Sequence, residues 1–420
     1  MANIYLIVLL ATPLVCATFQ FIWGFENNKK DELIKASISK FVYTSQFLFS
    51  IYGAFQIPAQ KISFTIVHLK NYHYDFMFDL QTPFFVYAAI FSLLFMVTEK
   101  LSFNYLHAEE EHSKFYSLKM MLNFSMMGFL FSENIDFLYF CWEIVGISSA
   151  LLISYFYRRN QAVENSLFAF SIYRVCDAAF LLSALLLYHF YKVESINYVA
   201  SGTQATILGI LLFLSIMGKS GVYPMSSWLP QALEGPTPSS NLYYMTLSTH
   251  LGPILLIKSF SLWGDSLVVK GVIIAAALLT IIISSISARA QVTIKGALAY
   301  SALGQVSLIL IEVALEFHTF ALIHIGLHIF HRLAQMALSP SIIDQHNLME
   351  KLSIKEERKE YKGSFYFNAL NGFRSERIIK GMFKILFVPI FFLEKIELLL
   401  IGLDDDSYDS MAKSYSRSMK

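Results

Sequence analysis

Ala205-Thr-Ile-Leu-Gly-Ile-Leu-Leu-Phe-Leu-Ser-Ile-Met-Gly-Lys219-Ser-Gly-Val-Tyr-Pro224 sets the problem that the rest of the chain repeats. An uncharged apolar run over 205–218 meets a lysine, then at once the helix-breaking residues Gly221 and Pro224. Working outward, residues 4–23, 83–98, 137–157, 166–190, 239–257, 271–288 and 319–338 form further long runs with few or no charges. Residues 41–60, 115–131, 294–315 and 381–393 are additional candidates. A hydrocarbon core of ~30 Å takes about 20 apolar residues in a helix. Blocks of this kind, rather than short alternating segments, exclude a barrel. They predict an all-α, polytopic transmembrane bundle of about 12 helices, broken near intramembrane charges.

Composition agrees. The chain is 55% hydrophobic and 15% charged, with mean hydropathy +0.52, against roughly 25% charged in soluble proteins. A formal net charge of +1, and no basic patch interleaved with aromatics, gives no support to nucleic-acid binding. Cys16, Cys141 and Cys176 all fall in apolar runs without metal-ligand spacing and read as small buried hydrophobes. The N-terminus opens straight into an apolar run, with neither a basic signal-peptide region nor an Arg-rich amphipathic presequence, which predicts insertion where the chain is made.

The organisation expected is N-terminal membrane helices over 1–132, a core over 133–343, a charged extramembrane segment over 344–379, a membrane or membrane-surface helix over 380–403 and a polar tail over 404–420. Residues 25–35 and 99–114 read as charged connectors, and Lys351, Lys355, Glu356, Glu357, Arg358, Lys359 and Glu360 mark the extramembrane segment.

Charges inside the apolar helices carry the functional signal. Each costs roughly 2.5–3.5 kcal/mol at mid-membrane on insertion scales, so four unpaired ones would cost on the order of 10 kcal/mol. Glu143 lies within 137–157; Arg174 and Asp177 stand i,i+3 on one helix face; Lys219 ends its run; His250 lies beside Gly252 and Pro253. His324, His328 and Arg332 form a stripe at i, i+4 and i+8. Each has a plainer reading. Glu143 can be an interfacial anchor after Trp142, Arg174–Asp177 a structural ion pair fixing register, Lys219 a snorkelling end residue, and the histidines half of a haem or zinc site. Together they demand a function or internal hydration. Pro224, Pro230, Pro236, Pro238 and Pro253 break the backbone nearby, and irregular backbone at membrane depth is tolerated where protein buries it or water lines it.

Several of these stretches resemble the antiporter-like membrane subunits of respiratory complex I. Lys219-Ser-Gly-Val-Tyr-Pro-Met-Ser-Ser-Trp-Leu-Pro-Gln-Ala-Leu-Glu-Gly-Pro-Thr-Pro238 resembles the family signature, and its Glu-Gly-Pro-Thr-Pro ending is more similar to chain 5 than to chains 2 or 4. Trp142-Glu143-Ile-Val-Gly146 with Ser148-Ser-Ala-Leu-Leu-Ile153, Tyr173-Arg-Val-Cys-Asp177, Gln291-Val-Thr-Ile-Lys295 with Ala299-Tyr-Ser301 and Gln305, and His324-Ile-Gly-Leu-His328-Ile-Phe-His-Arg332 follow in family order. The resemblance runs from about Tyr74 to Asp344.

It implies proton translocation coupled to quinone reduction. Glu143 would be the acidic partner of Lys219, whose ammonium would carry the proton at the broken helix. His324 and His328 would relay protons and Lys295 would lie on the central polar axis. NADH, FMN, iron–sulfur clusters and ubiquinone would belong to partner subunits, since this chain has no motif for them. The partners implied are other membrane-arm subunits and lipids, in a multi-pass location in the mitochondrial inner membrane. Three departures stand out. Tyr244 takes the place of a family histidine, with His250 almost two turns further on. Arg332 replaces a lysine, and arginine does not deprotonate in proteins. The family's later helices are not evident, which predicts either a divergent, shortened chain with reduced pumping or a split one whose remainder is on a separate polypeptide; Gly372-Phe-Arg-Ser-Glu376 only faintly echoes a family element. The competing expectations are a cation/proton antiporter subunit and a structural complex I subunit with an inactive channel.

Overall fold

The computed structural model describes residues 2–22, 29–69, 72–107, 112–239, 246–339 and 364–385. The chain enters as α1 (Ala2–Ile22) and α2 (Lys29–Gln56), then a hairpin of β1 (Gln60–Leu69) and β2 (Tyr72–Leu80). Helices α3 (Thr82–Leu106), α4 (His112–Phe131), α5 (Ile135–Ile153), α6 (Asn160–Tyr191) and α7 (Gly202–Ser220) follow through short connections. Past the break come α8 (Trp228–Gln231), α9 (Leu251–Lys258), α10 (Phe260–Trp263), α11 (Leu267–Ala290), α12 (Ile294–Ala314), α13 (His318–Leu338) and α14 (Ser364–Leu370). Six of the described helices, α3, α5, α6, α7, α11 and α12, are long and apolar enough to cross a membrane. The bundle is all-α apart from the hairpin.

Side chains fix several helix starts. Asn134 accepts from the Asp136 and Phe137 amides to cap α5, Ser266 accepts from Val269 for α11, and Thr293 accepts from Gly296 for α12. The end of α7 is set by Gly221 at φ +66, a left-handed residue that turns the chain out of the helix. Beyond it the Tyr223–Pro224 peptide is cis. The backbone groups freed by the break find partners inside the protein. The Trp228 indole donates to the Gly218 carbonyl at 2.9 Å, the Val222 amide donates to Met217 at 3.0 Å, and the Tyr223 amide donates to the Thr280 hydroxyl at 3.0 Å. Without them each group would stand unsatisfied in a water-poor interior.

Two expectations need correction. The supposed connectors over 25–35 and 99–114 are largely helical, because α2 starts at Lys29, α3 runs past Glu99 to Leu106, and α4 resumes at His112. Their charges are tolerated because partners on facing helices meet them: Lys119 and Glu99 pair at 2.5 Å, and Lys35 donates to the Ser113 hydroxyl. The second correction concerns 41–60, whose apolar run ends as helix at Gln56. From Gln60 the pattern alternates, with Lys61, Ser63 and Thr65 exposed and Ile62 and Phe64 turned inward. The hairpin plugs the α4–α5 turn: the Glu133 amide donates to the Met77 carbonyl at 2.8 Å, and Phe76 packs on Phe137 at 4.8 Å between ring centroids.

Glu133, in that turn, is buried, which alone would raise its carboxyl; hydrogen bonds from Lys61, at 2.6 Å, and Ser195 outweigh burial and hold it below its ordinary value. A lowered folded-state value means that the contribution is complete above the ordinary carboxylate range and is lost as pH falls through the lowered one. Acid titration followed by amide exchange in β1 should therefore show the hairpin loosening at low pH, and a Lys61→Ala chain should loosen at a higher pH than the parent.

The break at Gly221 yields a second expectation. A Cβ there would come within 2.7 Å of Leu303 Cδ2 in addition to the left-handed backbone, so Gly221→Ala should cost at least roughly 1–2 kcal/mol. Gly271→Ala, on α11 with no atom within 4 Å of its would-be Cβ, should leave the thermal midpoint in detergent unchanged or raised.

Candidate functional site

Helices α5, α6 and α7 converge at mid-depth on two acids and two cations. Lys219 is fully buried at the end of α7. Its ammonium donates to the Trp142 carbonyl at 2.9 Å, faces Asp177 Oδ2 at 3.5 Å and lies 4.9 Å and 4.8 Å from the ring centres of Trp142 and Tyr173. Asp177 Oδ1 accepts from the Trp142 indole at 2.6 Å and from the Ser215 hydroxyl at 3.1 Å. Arg174 Nη2 stands 3.4 Å from Asp177 Oδ2 and forms an ion pair with Glu143. Formal charge across the four side chains cancels, the condition under which such groups persist in an apolar interior.

The expected pairing of Lys219 with Glu143 is indirect: Lys219 meets Asp177 directly, while Glu143, ion-paired with Arg174, acts on it electrostatically from further off. The reason is depth: Lys219 and Asp177 are 0% and 1% exposed, whereas Arg174 is 35% exposed and reaches outward to Glu143. Arg174 and Asp177 do pair, as their i,i+3 spacing suggested, but Arg174 bridges both acids. Gly146 makes room, since a Cβ at that point of α5 would lie 2.9 Å from the Lys219 ammonium.

A second polar cluster joins α9, α12 and α13. His250 Nε2 and His328 Nδ1 are 2.7 Å apart, and Arg332 Nε donates to His328 Nε2 at 2.8 Å. Arg332 Nη1 also donates to the Ser301 hydroxyl at 2.7 Å and the Gln335 carbonyl oxygen at 2.8 Å. A guanidinium can only donate. His328 Nε2 must therefore be the acceptor, which assigns the proton of His328 to Nδ1, where it is donated to His250. His250 then carries its own proton on Nδ1, toward the Thr246 carbonyl. His324, on the same helix, turns instead to Glu312 Oε1 at 2.7 Å.

The two clusters are linked through neighbouring residues: Ser220, next to Lys219, donates to the carbonyl of Thr249, next to His250, at 2.8 Å. His250, which the sequence left displaced from its expected place, is thus brought onto the axis. Tyr244 lies outside the described residues. Lys295 is half-buried and donates to Thr237 of the Pro-Thr-Pro turn at 3.2 Å, beside the axis rather than within hydrogen-bonding reach of Lys219.

Four further buried charges, Lys258, Glu312, Glu99 and Lys119, escaped the sequence reading. Lys258 donates to the Phe129 and Leu130 carbonyls at 3.2 and 2.6 Å, the free C-terminal end of α4 where a cation is favoured. It fell one residue beyond an apolar run. Glu312 was visible as an acid within 294–315, and the Glu99–Lys119 pair was split between a supposed connector and a supposed span. The Gly372–Glu376 element, only a faint echo in sequence, packs against the break: Glu376 Oε2 accepts from the Gln231 amide at 3.2 Å.

Residues 132–377 match the model of the NADH:quinone oxidoreductase/Mrp antiporter transmembrane family. The chain belongs to this family. Among its relatives it is 30% identical over 333 residues to NADH-ubiquinone oxidoreductase chain 5 of Ceratotherium simum, covering 78% of this chain and 53% of that one. It is 29% identical to NADH-quinone oxidoreductase subunit L of Buchnera aphidicola, covering 57% of this chain and 40% of that one. The fold resembles a chain of the Mrp complex from Dietzia sp. DQ12-45-1b, with TM-score 0.69, 18% identity and coverage of 79% of this chain and 37% of that one. The chain spans about half the length of the curated relatives it matches.

The His250–His328 cluster thus carries an arginine that dictates proton placement. Nitrogen-15 spectra of the histidine-labelled chain should show His328 as the Nδ1-protonated tautomer, and Arg332→Met should release it into a mixture of tautomers.

Proposed function

We propose that this chain is a chain-5-type membrane-arm subunit of a respiratory NADH:quinone oxidoreductase and that its polar axis moves protons across the membrane. The observation carrying the proposal is the fully buried Lys219 ammonium at the end of a broken helix, facing an acid that Arg174 shares. Two unit charges about 4 Å apart interact by about 4 kcal/mol at an effective dielectric of 20. When Arg174 sits between Glu143 and Asp177, it competes with Lys219 for Asp177. Swinging fully to Glu143 gives Asp177 to Lys219 and holds the ammonium; swinging to Asp177 withdraws that acid and lets the proton leave. A movement of one exposed guanidinium thereby loads and unloads a buried lysine.

The proton leaving Lys219 has the His250–His328 pair ahead of it, and the Ser220 bond to the Thr249 carbonyl holds the two clusters side by side. A hop through an imidazole needs one nitrogen to receive while the other gives. His328 Nε2 receives a hydrogen bond from Arg332, which does not surrender its proton. Arg332 therefore acts as a gate: it must release His328 Nε2 before that ring can reload. This hold is also what favours the second reading, a structural subunit whose channel is closed. Glu143, Arg174, Asp177, Lys219, His250 and His328 are the residues on which transfer depends, with His324 and Arg332 at the far end of the axis and Lys295 beside it.

The electron carriers NADH, FMN, iron–sulfur clusters and ubiquinone are assigned to partner subunits. The location proposed is the mitochondrial inner membrane, supported by the chain's Phe-, Tyr-, Ile- and Lys-rich composition and by its resemblance to chain 5.

In vesicles reconstituted with the assembled complex, Lys219→Ala should leave assembly intact and reduce proton uptake per NADH oxidised by severalfold. Unchanged uptake would remove the chain from the pumping path. Arg332→Lys should speed uptake if the arginine gates the relay, and should leave it unchanged if the channel is structural.

A further inference from the structure

A second buried ion pair lies away from this axis, among the N-terminal helices. Glu99 of α3 and Lys119 of α4 meet at 2.5 Å with side chains 5% and 0% exposed, and Lys119 also reaches the Ser102 hydroxyl at 3.3 Å. Each lies seven residues inside its helix from the α3–α4 connection, roughly 10 Å along the axis. An intramembrane ionisable pair is a functional candidate by default, and the competing role is a static pin between α3 and α4.

The surroundings separate the two roles. A pin is best when every polar atom is satisfied, since a half-satisfied buried network is worse than an apolar one. Here Glu99 Oε1, the Tyr116 hydroxyl, Glu32 Oε1 and both amide atoms of Asn123 are buried without a hydrogen-bond partner. They form a file rather than a scatter. His107, with its side chain 56% exposed at the end of α3, meets Glu32 at 3.3 Å. Tyr116 interacts electrostatically with both Glu32 and Glu99, and Asn123 lies one helical turn beyond Lys119 on α4. A line of unpartnered polar atoms from an exposed imidazole to a buried carboxylate has the composition of a wettable inlet.

We propose that Glu99 and Lys119 form a proton-exchanging site open to the aqueous face at which α3 ends. A hydronium arriving along the file gives its proton to Glu99 Oε1, leaving water; the carboxylate becomes a carboxylic acid and Lys119 loses its counter-charge. Release reverses the step. The titratable groups bearing on the pair are Tyr43 from α2, with the Lys119 ammonium 5.4 Å from its ring centre, and Tyr116 from α4, which in turn interacts with Glu32 of α2 and Tyr155 after α5; His107 at the end of α3 meets Glu32. The site stands independently of the Lys219 axis.

The test is infrared difference spectroscopy of the full chain in lipid, stepped in pH in H2O and D2O. A protonated-carboxyl band should appear as pH falls, shift in D2O, persist in Lys219→Ala and vanish in Glu99→Gln. Because Glu99→Gln leaves Lys119 without a counter-charge, the doubly neutral Glu99→Gln/Lys119→Met chain is the companion, and replacing a buried pair whole is often tolerated. Its spectrum should also lack the band. A band that survives in either Glu99 variant, or one insensitive to D2O, would overturn the proposal and leave the pair as a pin. Loss of the Glu99 band with normal pumping, or the reverse, would separate this site from the axis.

Discussion

Hydrocarbon offers no hydrogen-bond partner, so every polar group carried into it must find one inside the protein. The break after Lys219 depends on this rule more than any other feature. Helix α7 stops at Gly221, and the freed groups are met by Trp228, Met217 and Thr280. Beside that break the Ser220 side chain donates to the Thr249 carbonyl, which brings the Lys219 region next to His250.

Charge follows the same logic. Two acids and two cations cancel around Lys219, and their burial is graded, with Asp177 and Lys219 sealed and Arg174 partly exposed. Of the two cations Arg174 is the less buried, and it is the one proposed to move. At the other end Arg332 is held by three acceptors, His328, Ser301 and the Gln335 side chain. The two arginines thus differ in what meets them, two carboxylates in one place and three neutral groups in the other.

The rule is met unevenly. Lys258 donates to two carbonyls at the end of α4, whereas Glu99 Oε1, like Glu312 Oε2 near the axis, has no hydrogen-bond partner. The contrast between a fully satisfied buried lysine and a partly satisfied ion pair is what distinguishes an anchoring charge from an exchanging one. The hairpin of β1 and β2, by closing the α4–α5 turn with Phe76 on Phe137, holds α4 against α5 and so fixes both.

The sequence by itself determined the membrane bundle, the break at Gly221 and the identity of most axis charges, because length, apolarity and helix breakers are local properties. Glu143, Arg174, Asp177, Lys219, His324 and His328 were legible as charges or imidazoles where none should stand. Which acid faces Lys219 was not legible, since it depends on how far α5, α6 and α7 approach and on Gly146 leaving room between them. The place of His250 opposite His328 was equally hidden, because residues 78 positions apart meet only when α9 packs beside α13. Charges such as Glu99 and Lys119 were read as connector or overlooked because each alone disfavours a membrane helix. Only their pairing across two helices makes that helix admissible, and pairing is a tertiary fact.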